Sequence, residues 1–154
     1  MLAKRFEDFR TGFSSTFWIA NTLELLERLA FYGTKAILTK FLAERVGLAG
    51  EAGTLAGFFS GLIYLLPIVA GVVVDRYGFK KTLITCFAIF SVGYLLIGLA
   101  GMAYGNVIVE AVGRKPYILF VLLLTAVGGS LIKPCIVGTV AMTSRPEVRS
   151  LGFS

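Results

Sequence analysis

PYILFVLLLTAVGGSLIKPCIVGTVAM, from Pro116 to Met142, carries a single charge, Lys133. At about 1.5 Å per helical residue such a run exceeds a hydrocarbon core of about 30 Å. Three more apolar runs precede it, Ser15 to Leu42, Thr54 to Val74 and Thr82 to Tyr104. The whole chain agrees with this reading. Its 154 residues are 56% hydrophobic and 16% charged, with a mean hydropathy of +0.83. Globular domains run near about 45–50% apolar and about 25% charged. The expected fold class is an all-α membrane protein of four transmembrane helices.

The connections are short and hold the punctuation: GLAGEAG (Gly47 to Gly53), DRYGFKK (Asp75 to Lys81) and GNVIVEAVGRK (Gly105 to Lys115). Lys and Arg in such connections set orientation. The N-terminal arm has Lys4, Arg5 and Arg10, the second connection Arg76, Lys80 and Lys81, and the tail Arg145 and Arg149. The other two connections hold only Arg45, Arg114 and Lys115. Both termini are therefore expected on the cytoplasmic side of a cytoplasmic (inner) membrane. The tail, SRPEVRSLGFS, reads as the start of a fifth helix from about residue 150, and the chain as an N-terminal fragment of a longer protein.

Several function classes fall away. The net charge of +6 belongs to sidedness, because no basic stripe interleaved with aromatics lies outside the apolar runs; nucleic acid is not an expected partner. Histidine is absent, and Cys86 and Cys135 lie inside apolar runs, so neither a metal site nor a disulfide framework is expected. The basic N-terminal stretch is mixed with Glu7 and Asp8, unlike a cleavable signal peptide. No phosphate-binding GxxxxGK[ST] loop is present. No cofactor and no enzyme activity are expected.

The informative residues are the charges inside the apolar runs: Glu24, Glu27, Arg28 and Lys35 in the first, Lys133 in the fourth. A charge at the bilayer centre costs about 2.5–3.5 kcal/mol on insertion scales and persists where it faces protein or a wet cavity. At about 100° per residue, Asn21, Glu24, Glu27, Arg28, Phe31, Tyr32 and Lys35 share an arc of roughly 140°. This polar stripe is expected to face inward, with Leu26, Leu29, Ala30, Gly33 and Ile37 opposite. Lys40 lies off the stripe, near enough to the end to snorkel. A purely structural Glu24–Arg28 pair at i,i+4 is the competing reading, but one internal pair does not account for two carboxylates and three cations.

Lys133 is followed by Pro134, whose ring leaves the Ser130 carbonyl without its donor and predicts a bend. Gly128 and Gly129 just before it permit close helix approach. A kinked packing helix whose lysine only satisfies a carboxylate is the alternative there. In the second connection a glycine, Gly71, stands one turn before Asp75 and Arg76. Gly78 suits the tight turn, with Lys80 and Lys81 behind it.

Gly71, Asp75, Arg76, Gly78, Lys80 and Lys81 resemble the loop signature between the second and third helices of major facilitator transporters. Glu24-Leu25-Leu26-Glu27-Arg28 with Phe31-Tyr32-Gly33 resembles the ExxER…YYG signature of the proton-dependent oligopeptide transporters within that superfamily. Tyr64-Leu65-Leu66-Pro67 before Ala70-Gly71, and Gly128-Gly129 with Lys133-Pro134, match that family's second and fourth helices in character and spacing. The chain departs from the pattern at Phe31, where the family has a tyrosine, at Ala70, where it has glycine, and at Cys135, where it often has asparagine.

The resemblance implies two six-helix bundles with substrate bound between them near mid-membrane. Residues 1–154 would form part of the N-terminal bundle, and the missing C-terminal helices of the same protein would be partners. It implies proton coupling through Glu24, Glu27, Arg28 and Lys133, and di- or tripeptide binding by Arg28, Tyr32 and Tyr64, with Lys35 at a carboxylate-facing position. The expected partners are thus protons, small peptides and the lipid bilayer.

A mechanism follows from elementary electrostatics. A carboxylate in low dielectric resists ionisation, and a nearby cation restores it. A glutamate whose partner swings away therefore exchanges its proton with conformation: Glu27, with Glu24 as second candidate, loads when Lys133 or Arg28 is drawn elsewhere. A peptide carboxylate competes for Arg28 and Lys35. Two alternatives stand: a related facilitator for another anionic or zwitterionic solute (nitrate, a modified amino acid, a drug), and a membrane accessory subunit with no transport of its own.

Overall fold

A computed structural model describes residues 14–143, so the expected fifth helix lies outside the described residues. Those residues form helices and no strand. They are α1 (Ser15–Glu44), α2 (Ala52–Leu65), α3 (Pro67–Tyr77), α4 (Phe79–Ala100), α5 (Asn106–Val112) and α6 (Arg114–Thr143). Three stretches are long and apolar enough to cross a membrane: Ala52–Val69, Phe79–Ala100 and Arg114–Met142. The 30-residue α1 has the length of a span, but its charges keep it outside that group.

The sequence boundaries shift in instructive ways. The second run, expected as one span from Thr54 to Val74, is two helices that meet at Leu66. Pro67 has no N–H to offer the Ile63 carbonyl, and its ring crowds the preceding turn. It is instead placed in the first turn of α3, where its missing donor costs nothing. The connection from Gly105 to Lys115 is not irregular throughout, since α5 closes inside it and buries Val109. Pro134 leaves α6 a single uninterrupted helix.

Gly78 is the only residue between α3 and α4, with φ 81° and ψ 149°. That is glycine territory, worth about 1–3 kcal/mol of strain to any other residue. A Cβ there would meet nothing within 4 Å, so the whole penalty is conformational. Gly78→Ala is expected to destabilise by about that amount, and Gly78→Asn not to rescue it; thermal unfolding of the two variants checks this.

Helix ends from different parts of the chain meet at one side of the bundle. Arg114 Nη1 at the start of α6 donates to the Val46 carbonyl just past α1, at 3.2 Å. Lys115 Nζ pairs with Glu51 before α2, at 3.1 Å. Arg114 caps an otherwise orphaned chain end, whereas the exposed Lys115–Glu51 pair adds about 0–1 kcal/mol. The most extensive helix contact is α4 with α6. It is made of glycines: Gly93 lies against Thr125, Gly128 and Gly129 against Phe90, and Gly138 against the Phe79 ring.

Two apolar clusters stack along the bundle. One holds Phe31, Leu38, Leu42, Phe59, Ile118 and Leu122. The other holds Phe17, Ala20, Cys86, Phe90, Ile132 and Ile136. On α1 the level between them, between Ala20 and Phe31, is where Glu27 sits. Tyr94 of α4 packs against both clusters, so it marks the same level from the other side.

Candidate functional site

A cavity of about 240 Å³ opens at this level, with Glu27 and Arg28 from α1, Tyr64 from α2, Pro67 from α3, and Ser130 and Lys133 from α6 among its lining. The break at Pro67 and the glycines before Lys133 place these groups. The first divides α2 from α3 beside Tyr64, and the second lets α6 approach α4 closely, with Lys133 on the cavity side.

Glu27 is 5% exposed, the sole charged side chain in the buried set of described residues. Its Oε2 lies 3.2 Å from Arg28 Nε yet accepts no hydrogen bond among the described residues. The contact is an ion pair held by charge alone, and it joins adjacent residues instead of the i,i+4 partners Glu24 and Arg28. Glu27 also feels the charges of Glu24 and Lys133. A buried carboxylate with only electrostatic partners can change them without breaking an oriented hydrogen bond.

Of the residues singled out from sequence, Glu27, Arg28, Tyr64 and Lys133 meet at the cavity. Glu24, one turn earlier on α1, is half-buried. Lys35 is exposed, its Nζ 5.6 Å from the Tyr64 ring centre and 5.8 Å from that of Phe31. Aromatic faces hold a cation in this way without neutralising it. Tyr32 is 54% exposed and meets the Phe31 ring edge-on at 5.2 Å. The polar stripe of α1 is thus split: Glu27 and Phe31 turn inward, while Tyr32 and Lys35 look outward.

The loop residues are apart from the cavity, around the α3–α4 turn. Gly71 lies within α3. Asp75, Arg76, Lys80 and Lys81 are exposed, and the Arg76 guanidinium stands 5.9 Å from the Tyr77 ring centre. Sequence reasoning missed Ser130 and Pro67 as lining and Tyr94 as a neighbour. Pro67 was visible as a helix breaker beside Tyr64; a tyrosine mid-run was the available signal for Tyr94.

The architecture defines an all-α integral membrane protein with charged residues gathered around a cavity. Its relatives carry the identification further. The chain is 30% identical over 125 residues to "Peptide transporter family 1" of Drosophila melanogaster, covering 80% of this chain and 16% of that protein. It is 31% identical over 134 residues to "Dipeptide and tripeptide permease B" of Xenorhabdus bovienii, covering 85% of this chain and 25% of that one. It is 29% identical over 104 residues to "Dipeptide and tripeptide permease A" of Salmonella typhi, covering 64% and 21%. No family model matches the chain, and no solved structure matches it significantly. The chain is homologous to named peptide transporters over most of its length, which is consistent with the resemblance to the proton-dependent oligopeptide transporters. It spans a quarter or less of the length of the first two of these relatives.

Proposed function

We propose that this chain is part of a proton-coupled symporter of di- and tripeptides. In this reading α1, α2 with α3, α4 and α6 are four transmembrane helices of the N-terminal six-helix bundle of a major facilitator fold. The N-terminus is cytoplasmic and the membrane is the cytoplasmic one. The observation that carries the reading is the meeting of Glu27, Arg28, Tyr64 and Lys133 at one cavity among apolar helices, in a chain 31% identical to a dipeptide and tripeptide permease.

Glu27 is the proton carrier, with Glu24 beside it. Arg28 is its resident cation and Lys133 the second. A peptide carboxylate entering the cavity draws Arg28, with Lys35 as outer guide. Glu27, left in low dielectric, then favours its protonated form. Tyr64 and Tyr32 offer ring surface to variable side chains. The exposed Asp75, Arg76, Lys80 and Lys81, around the hinge at Gly78, mark the cytoplasmic turn that moves as access alternates.

The test is uptake of a labelled dipeptide into proteoliposomes of the full-length protein, with and without an inward proton gradient. Gradient-stimulated uptake that unlabelled dipeptides compete away is expected. Gradient-driven uptake of another anionic or zwitterionic solute, with none of dipeptide, would move the substrate to that class.

A further inference from the structure

Two buried polar atoms at one level of the bundle have no hydrogen-bond partner among the described residues, Glu27 Oε2 and the Tyr94 hydroxyl. The first has only the Arg28 charge beside it, and buried polar atoms without an oriented partner call for an explanation. They are complementary: an ionised carboxylate only accepts, while a phenol donates. The Tyr94 ring is fixed edge-on to Phe90 at 4.6 Å and wedged between both apolar clusters. Its hydroxyl is buried and feels the Glu27 charge, with Thr34 as its other polar neighbour. Thr34 is close enough to interact with it, yet no well-formed hydrogen bond fixes the hydroxyl in place.

We propose that the Tyr94 phenol is a positioning hydrogen-bond donor for the Glu27 carboxylate. It engages when Arg28 leaves Glu27, holding the carboxyl group toward the cavity while the ion pair is open. The inference rests on the reading of Glu27 as proton carrier and adds a residue from α4, which contributes nothing to the cavity lining itself. The groups around Glu27 divide the work. Arg28 and Glu24 on α1 and Lys133 on α6 supply the charge, Tyr64 on α2 lines the cavity, and Tyr94 supplies direction.

The experiment is infrared difference spectroscopy of the full-length protein in lipid nanodiscs, between acidic and neutral pH. The carboxyl C=O band of Glu27 is identified by its loss in Glu27→Gln, and the phenol C–O band of Tyr94 by its loss in Tyr94→Phe. Tyr94→Phe is expected to move the Glu27 band to higher wavenumber, as a carboxyl that loses a donor does. Glu27→Gln is expected to move the Tyr94 band, while Thr34→Val leaves the Glu27 band in place. Bands that ignore each other's substitution overturn the proposal, as does a Glu27 band that answers to Thr34→Val alone. If Tyr94→Phe does not fold, the response of the tyrosine band to Glu27→Gln decides. No transport is measured, so failure of the peptide reading leaves this result legible.

Discussion

In the symporter proposed above, Glu27→Gln is expected to reduce gradient-driven peptide uptake to its level without a gradient, while counterflow exchange persists. The substitution keeps the volume of a side chain that is 5% exposed and removes its charge. Desolvating a carboxylate among apolar helices is the largest unfavourable feature of the site, so the neutral amide does not destabilise the bundle through lost solvation. Arg28 loses its ion pair at 3.2 Å, but its side chain is 28% exposed and keeps contact with water in the cavity. The fold is thus expected to survive, and on the proposed reading only the exchangeable proton is gone. Exchange of one peptide for another needs no net proton movement and continues. Glu24→Gln, at a half-buried residue without an ion pair among the described residues, is expected to give a smaller loss. Accumulation of peptide by Glu27→Gln at the wild-type level would falsify the assignment of Glu27.

Much of this site was legible in the sequence, because charge within an apolar run is a signal that needs no tertiary knowledge. Glu27, Arg28 and Lys133 stand out on energetic grounds alone, and Tyr64 through its place before Pro67. The split of the α1 stripe was not legible. Angular position places Glu27 and Tyr32 on one arc, but which edge of an arc of about 140° faces a neighbour depends on where α6 and α2 pack. The pairing of Arg28 was not legible either. Spacing favours i,i+4 partners, whereas burial of Glu27 draws the adjacent guanidinium inward. At the level of fold, the apolar runs gave the helices within a few residues, because bilayer-length hydrophobicity is a strong signal. The division at Pro67 and the short α5 hinge on local backbone accounting that run length does not register. Tyr94 escaped notice because tyrosine in an apolar run passes for a large hydrophobe until its hydroxyl is found without a partner.

Gly128→Ala is expected to push α4 and α6 apart and to destabilise the bundle. The α4–α6 contact is the most extensive in the bundle, and in a membrane such contacts rest on close backbone approach, since lipid competes for every apolar surface. A Cβ at Gly128 would stand 2.6 Å from the Phe90 amide nitrogen, 2.9 Å from its Cα and 3.0 Å from the Cys86 carbonyl oxygen. All three are backbone atoms of α4, which cannot rotate away as a side chain can. The helices must therefore separate, loosening Phe90 from the second cluster and widening the level that holds Glu27 and Tyr94. Overpacking of this sort costs about 1–3 kcal/mol, and here the whole interface moves with it. Gly98→Ala on the facing helix α4 is the control, because nothing lies within 4 Å of its added Cβ and alanine favours the helix. Denaturant titration in mixed micelles should show Gly128→Ala unfolding well before wild type and Gly98→Ala at or beyond it. Equal midpoints for the two variants would mean that α4 and α6 do not rely on this close approach. The tight seam beneath Lys133 would then not be what presses that lysine toward Glu27.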